Sequence, residues 1–216
     1  AMRTLPLLLC ALLGALPAAA RDAVLVKAKG KVQVKADGAD KFVKVEEGAL
    51  LLFGDTVRVA KKGVAHLNLG DNASVLVRED SEFLIGGSAA QTELDFSFGE
   101  FLIGLRKRLT QKQSFRVRTP AAVASVRGTL FWGKSEKKTR AATYAGFGGK
   151  VKVEAQGQAV EVLPGKIVTV AFGAAPTDPV SSSVTLDVAG QFMVDGTLQG
   201  LEVLAREKEP EDVAPE

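Results

Sequence analysis

The sequence predicts an all-β fold, and three features of its 216 residues carry that prediction. Apolar and polar residues alternate with a period of two, turns rich in glycine interrupt the alternation, and the alternating runs recur at roughly 8–12 residues. A period of two places every second side chain on one face of a strand, which is then half-buried. We therefore expect an elongated stack of antiparallel hairpins, similar to a sandwich or a solenoid.

The first twenty residues have the features of a secretory signal peptide. The charged start Met2-Arg3 precedes an apolar run from Leu5 to Leu16, and small residues follow up to Ala20, after which we predict cleavage. The run is shorter than the roughly 20 residues that cross a bilayer, so no transmembrane helix is expected. Cys10 is the only cysteine and lies in this segment, which excludes disulfides and thiol nucleophiles from the mature protein. We expect a periplasmic or extracellular protein.

The predicted β domain extends over residues 21–172. Its alternating runs contain β-branched and aromatic residues, among them Val32/Val34, Val57/Val59, Leu67/Leu69, Val75/Val77, Leu94/Phe96/Phe98, Val151/Val153, Val160/Val162 and Val168/Val170. Turn residues separate these runs, for example Asp37-Gly38, Gly54-Asp55, Gly70-Asp71-Asn72, Gly86-Gly87 and Gly148-Gly149.

The composition changes after Phe172. Residues 173–183 are rich in small residues and proline and are predicted to form a linker. Residues 184–205 are mixed in character and predict a short, weakly ordered accessory segment. Residues 206–216 are charged and contain proline, which predicts a disordered tail.

Several landmarks between about residues 30 and 172 resemble the FecR-type domain, the periplasmic domain of the ferric-citrate regulator family. The specific part is the pair Thr119-Pro120 and Arg127-Gly128-Thr129 in that order. More general landmarks are Gly30, Val32, Gly48, Gly54, Asp55, Val57, Leu67, Asp71, Leu94, Gly99, Phe115, Val117, Phe131 and Gly165. The resemblance implies an elongated module of stacked β-hairpins that relays signals. Because a predicted signal peptide replaces the cytoplasmic and membrane segments of the full regulators, we expect an exported module that acts alone.

The signature residues of that resemblance have two interpretations. Proline suits a strand end or corner, and glycine at 128 provides a conformation closed to other residues, while Arg127 could pair with Asp55. The first interpretation is a corner that holds the fold, and the alternative is a ligand clamp. The residues concerned are Gly54, Asp55, Thr119, Pro120, Arg127, Gly128 and Thr129.

A basic block between residues 101 and 135 contains no acidic residue. Its candidate partner-binding residues are Arg106, Lys107, Arg108, Arg116 and Arg118. Alternation predicts that Arg116 and Arg118 lie on the strand face opposite Phe115 and Val117. This stripe could bind an anionic polymer, or it could be a solvated face that prevents pairing with other sheets. Because no aromatic residues are interleaved on that face, nucleic acid is not expected as a partner.

The remaining polar residues do not form a recognisable catalytic pattern. His66 is the only histidine, and the predicted strand places it opposite Ala65 and Leu67. We therefore predict no enzyme, no metal and no cofactor, and a role in recognition or scaffolding with an envelope protein as partner. The alternative is binding of anionic envelope polysaccharide or lipopolysaccharide through the basic stripe. A third hypothesis is a hydrolase that uses His66 or Glu82.

Overall fold

The computed structural model describes residues 23–70, 72–88, 90–106, 108–128 and 130–181. These ranges contain seventeen strands and no helix, which confirms the predicted all-β class. A helix long and apolar enough to cross a bilayer is accordingly not found in them. The predicted segments 1–20, 184–205 and 206–216 lie outside the described residues.

One sheet, which we call sheet A, has nine strands that include one half of a long shared strand, β9. Its strands in spatial order are β4 (Leu50–Leu51), β1 (Ala23–Lys29), β6 (Val64–Leu69), β7 (Ala73–Val77), β9 (Gln91–Leu105), β12 (Leu130–Ser135), β13 (Ala142–Gly148), β16 (Lys166–Val170) and β17 (Val180–Ser181).

The second sheet, sheet B, also has nine strands and contains the other half of β9. Its strands in spatial order are β3 (Val43–Lys44), β2 (Val32–Lys35), β5 (Thr56–Val59), β8 (Ser81–Gly87), β9, β10 (Ser114–Arg118), β11 (Val123–Val126), β14 (Val151–Ala155) and β15 (Gln158–Val162).

Strand β9 joins the two sheets because it changes partners at Gly99. Residues 91–98 pair with β8 and β10 in sheet B, and residues 99–105 pair with β7 and β12 in sheet A. Gly99 has a φ of +133°, a backbone conformation that L-residues with a side chain rarely adopt. The bend at this residue therefore connects the two layers through one continuous backbone.

The hairpins are antiparallel as predicted, with one exception. Strands β9 and β10 are parallel, with Ser114 opposite Gln91 and Arg118 opposite Asp95. The physical reason is that β9 begins in sheet B and ends in sheet A. The connection through residues 106–113 returns the chain to the end of sheet B where β9 began, so β10 runs in the same direction.

The main core lies between the two sheets and combines buried side chains from both. Four phenylalanines cross from one sheet to the other near the bend in β9. The ring centroids of Phe83 and Phe96 are 4.7 Å apart, those of Phe96 and Phe101 4.3 Å, and those of Phe101 and Phe131 6.0 Å. Such aromatic pairs add a specific geometry to the burial of apolar area.

A second apolar cluster lies on the opposite face of sheet A. It consists of Leu76, Leu102, Trp132 and Ala145, against which Val64, Leu130, Phe147 and Ile167 pack. We call this cluster the outer apolar stripe.

The described part of the predicted linker is attached to sheet A. Val180 pairs with Ile167, and the backbone N–H of Thr177 donates to the carbonyl of Thr169 at 3.0 Å. In return, the backbone N–H of Thr169 donates to the Thr177 hydroxyl at 3.1 Å. Residues 182 and 183 lie outside the described ranges.

Candidate anion-binding cleft

Four neighbouring strands bring polar side chains together on the outer face of sheet B. In the cross-strand register, Arg116 lies beside Ser125, Ser125 beside Lys152, and Lys152 beside Glu161. Phe115 is buried on the other side of β10, as the alternation predicts. Directly opposed residues in a sheet are about 5 Å apart, so these side chains can contact one ligand.

A cleft of about 750 Å³ opens along this row. Five basic and two acidic side chains line it, namely Arg108, Arg116, Arg127, Lys150, Lys152, Glu154 and Glu161. The net charge of the lining is therefore positive. Amide and hydroxyl groups of Gln111, Gln113, Ser114 and Ser125 also line it.

Three of the basic side chains are not neutralised by a carboxylate. Lys152 pairs with Glu154 at 2.7 Å and Lys150 with Glu161 at 3.5 Å. Within the described part of the chain, Arg108, Arg116 and Arg127 make no ion pair. Guanidinium groups bind carboxylate, phosphate and sulfate oxygens in pairs, so this arrangement suits an anionic ligand.

The structure divides the predicted basic stripe between different surfaces. Arg108 and Arg116 line the cleft. Arg118 forms two hydrogen bonds to Glu93, at 3.2 and 3.3 Å, and these bonds raise the pKa of its guanidinium. Arg106 donates instead to Asn68 of sheet A at 3.4 Å. Lys107 lies outside the described residues.

Sequence reasoning missed Lys150 and Lys152, and it assigned Arg127 to the fold signature, with a ligand clamp as the alternative. The alternation of Lys150, Lys152 and Glu154 does predict an exposed strand face. The place of that strand in the sheet cannot be predicted from the neighbouring residues in the chain. Strand β14 pairs with β11, and the β12–β13 hairpin lies between them in the sequence.

Thr119 and Pro120 form the turn between β10 and β11. The Thr119 hydroxyl donates to the carbonyl of Ala122 at 3.0 Å and accepts from the backbone N–H of Ala122 at 3.2 Å. The same oxygen lies 2.8 Å from the Tyr144 hydroxyl, in the buried core. Burial raises the pKa of Tyr144, so this residue is a neutral hydrogen-bond donor. These contacts support the corner interpretation of Thr119-Pro120.

The other signature residues are placed separately. The Asp55 carboxylate accepts from the backbone N–H groups of Leu52 at 3.0 Å and Asp37 at 3.3 Å. The expected pairing of Asp55 with Arg127 is therefore wrong, because backbone donors surround the carboxylate and Arg127 lies at the cleft. Gly54 donates from its backbone N–H to Ile85 at 2.7 Å. Gly128 has a φ of +110°, as predicted, and Thr129 lies outside the described residues.

The residues considered for a hydrolase have structural contacts. His66 Nε2 lies 2.5 Å from the Ser74 hydroxyl, and Ser74 is only 3% exposed. The cations beside His66 are Arg106 and Lys27, and both lower its pKa. Glu82 pairs with Arg58 at 2.7 Å, and Arg58 stacks on the ring of Phe42 at 3.8 Å.

The pH dependence of stability tests the environment of His66. Burial, and then the charges of Arg106 and Lys27, lower its pKa below the ordinary value of about 6.5. The unfolded chain therefore binds a proton more readily, so this contribution to stability is complete above about pH 6.5 and is lost as the pH falls through the folded-state pKa. Urea unfolding at a series of pH values should show a loss that is smaller in His66→Gln. An equal loss in both proteins would contradict the assignment.

Among the described residues, no group of three histidine, cysteine, aspartate or glutamate side chains could hold a metal ion. A comparison with curated proteins found no match.

Two solved structures are similar to this chain in fold. Both are crystal structures of a protein from Parabacteroides distasonis ATCC 8503 that is provisionally described as an anti-sigma factor, one at 2.50 Å and one at 1.65 Å resolution. Each shares 18% sequence identity with this chain. The TM-scores are 0.51 and 0.52, and the matches cover 60% and 62% of this chain. The matches cover 62% and 64% of those chains, so this chain spans less than two thirds of their length.

The model of the family described as "FecR protein" matches residues 55–168, which is more than half of the sequence. The matched region contains the Thr119-Pro120 turn and the bend in β9. It also contains the four strands that line the cleft, which are β10, β11, β14 and β15. The chain therefore belongs to the FecR family.

Proposed function

We propose that this chain is an exported, non-enzymatic recognition module of the cell envelope, which acts in sensing or regulation by binding a macromolecular partner. The observation that carries the proposal is the basic cleft, in which Arg108, Arg116 and Arg127 have no acidic partner within the described ranges. Membership of the FecR family supports a regulatory role. The description of the two similar structures as an anti-sigma factor agrees with such a role.

A protein with exposed carboxylates is the first class of partner. Each guanidinium in the cleft can form two parallel hydrogen bonds to one carboxylate, which gives orientation as well as affinity. The contacts of His66 with Ser74 and of Glu82 with Arg58 support recognition rather than hydrolysis. We place the module in the periplasm or outside the cell, with cleavage near Ala20. N-terminal sequencing of the exported protein would test that location.

Charge reversal in the cleft should weaken partner binding. The variant Arg108→Glu/Arg116→Glu/Arg127→Glu removes the three unneutralised cations, and we expect affinity to fall by about tenfold or more because each contact is charge-assisted. The matched control is Lys29→Glu/Lys31→Glu/Lys61→Glu, which changes net charge equally at exposed positions away from the cleft. Retention from an envelope extract, followed by identification of protein and polymer, is the measurement. Equal retention by both variants would contradict the proposal.

An anionic envelope polysaccharide or lipopolysaccharide is the second candidate ligand. It is favoured by the length of the cleft, which follows the row Arg116, Ser125 and Lys152 across three strands. Binding of a polyanion releases counterions, so affinity should fall steeply as the salt concentration rises. Titration of purified lipopolysaccharide at several ionic strengths distinguishes this ligand from a protein partner. Affinity that does not depend on salt would exclude it.

A further inference from the structure

Strand β15 is the longest edge strand that the structure describes. Within the described ranges each sheet has two edge strands, which are β3 and β15 in sheet B and β4 and β17 in sheet A. The other three have two residues each, whereas β15 has five, from Gln158 to Val162. Three of these five side chains are exposed, and only Val162 is fully buried. The edge is therefore accessible from outside the molecule.

This edge lacks the features that usually protect the edge of a sheet. Such edges are short, or they carry proline, lysine or a bulge, because an open row of backbone groups can pair with another chain. Strand β15 has the sequence QAVEV, which contains neither proline nor lysine. Its pairing with β14 continues without a bulge over the whole strand. The edge can therefore accept a further strand.

The turn before β15 determines which backbone groups face outwards. Gln156 and Gly157 form a two-residue loop with φ of +50° and +73°, which is typical of a type I′ turn. The residues on either side of such a turn exchange backbone hydrogen bonds, and the next pair along an antiparallel ladder does not. Ala159 and Glu161 therefore direct their N–H and C=O groups away from β14. In the described part of the chain, the backbone bonds outside the ladders involve neither residue.

We propose that two copies of this chain pair through β15 in antiparallel orientation, so that their B sheets become one continuous sheet. A two-fold axis at Val160 places Ala159 of each copy opposite Glu161 of the second copy. The outward N–H and C=O groups of these residues then bond to one another, as in any antiparallel ladder. The pairing covers the edge in both copies, so a third copy cannot add there and the assembly is a dimer.

The side chains along the edge favour this register. Val160 packs against the main core, and across the axis it meets Val160 of the second copy. Glu161 faces Ala159 of the second copy, which is small and uncharged. Leu163 is 42% exposed and comes opposite Gly157 of the second copy, where a Cβ would meet nothing within 4 Å. The pairing therefore removes exposed apolar surface from water in both copies.

The neighbouring symmetric registers fit less well. An axis at Glu161 would place two glutamates directly opposite each other, which is destabilising. An axis at Ala159 would place Glu161 opposite Gly157, whose positive φ belongs to the turn and does not continue the ladder. The axis at Val160 avoids both problems.

The dimer should be weak in the absence of a ligand. Pairing over a strand of five residues covers less surface than the roughly 1,200 Å² of a stable interface. Glu161 also lines the basic cleft, so the pairing brings the two clefts onto one outer face. A polymer that reached both clefts would hold the copies together through its high effective concentration. This last step rests on the proposed function of the cleft, whereas the strand pairing does not.

Sedimentation of the exported protein without ligand, from micromolar to millimolar concentration, tests the pairing. We expect an equilibrium between monomer and dimer. Ala159→Pro should weaken dimerisation by about tenfold or more, because it removes one outward donor from each copy. It should leave β15 folded, since proline is tolerated where an edge N–H does not enter the ladder. The matched control Ala159→Val keeps the donor and should still dimerise.

A charge change at the same position tests the register. Ala159→Lys places an ammonium group opposite Glu161 of the second copy, twice by symmetry, so dimer affinity should rise by about fivefold. Ala159→Glu should lower it by a similar factor. Hydrogen exchange provides a readout that needs no variant. The amides of Ala159 and Glu161 should be protected at high protein concentration and exchange freely at low concentration.

Two results would overturn the proposal. The first is a monomer at every concentration, whether the edge stays uncovered or binds a strand of another protein. The second is a dimer that Ala159→Pro and both charge changes leave unaffected, because the copies would then associate through another surface. Neither result bears on the proposed function of the cleft, since the sedimentation is done without its ligand.

Discussion

Thr119→Val should lower the free energy of unfolding by about 3 kcal/mol. Valine has nearly the same shape as threonine, so the change removes the hydroxyl and leaves no cavity. The Tyr144 hydroxyl then loses its buried partner, and the backbone N–H of Ala122 loses its acceptor. A buried polar group left without a partner costs about 1–3 kcal/mol, and two such groups give the expected total. Urea unfolding at constant m-value is the measurement.

Tyr144→Phe is the matched control for this position. It removes one partner and leaves the Thr119 hydroxyl bonded to Ala122, so we expect a loss of only about 1 kcal/mol. In the double variant the two losses should be less than additive, because they share one hydrogen bond. The ligand-clamp interpretation predicts a different outcome. Under it, Thr119→Val would keep its stability and lose partner binding.

The second large effect is expected at the bend in β9. A Cβ at Gly99 would lie 2.3 Å from the Ser81 hydroxyl oxygen, 2.4 Å from its Cβ and 2.8 Å from its Cα, at a φ of +133°. Backbone strain of about 1 kcal/mol and overpacking of about 1–3 kcal/mol predict that Gly99→Ala is destabilising by about 3 kcal/mol. Thermal and urea unfolding of the variant provide the measurement.

Gly48→Ala separates strain from steric conflict. Gly48 also has a positive φ, +86°, but a Cβ there would meet nothing within 4 Å. We expect a loss of about 1 kcal/mol, from backbone strain alone. If both glycine variants lose the same stability, the close approach of Gly99 to Ser81 does not limit the bend.

The sequence was sufficient for the strands and their faces, because these depend on neighbours in the chain. Alternation correctly placed Phe115 and Val117 inside and Arg116 and Arg118 outside. The cleft could not be predicted in the same way. Its residues come from strands whose pairing skips a hairpin, and only the strand order brings Lys152 beside Ser125. A period of two specifies a face and not a neighbour.

The bend in β9 is visible in the sequence pattern as a change in which alternate positions are apolar and face the main core. The residues of β9 that face the main core occupy even positions at Leu94 and Phe96, and odd positions at Phe101 and Ile103. A shift of one residue exchanges the two faces of a strand, so the change of parity around Gly99 marks a local irregularity. Sequence could locate that irregularity, but the transfer to a second sheet depends on long-range pairing with β7 and β12.

The shared strand also has a mechanical consequence. In a sandwich whose layers touch only through side chains, a load that pulls the layers apart is resisted by dispersion contacts and by the cost of exposing apolar surface to water. Here part of that load passes along the peptide bonds of β9, and its ladder bonds on both sides must shear before the layers separate. Tension between the two surfaces of the domain is therefore carried in part by covalent bonds.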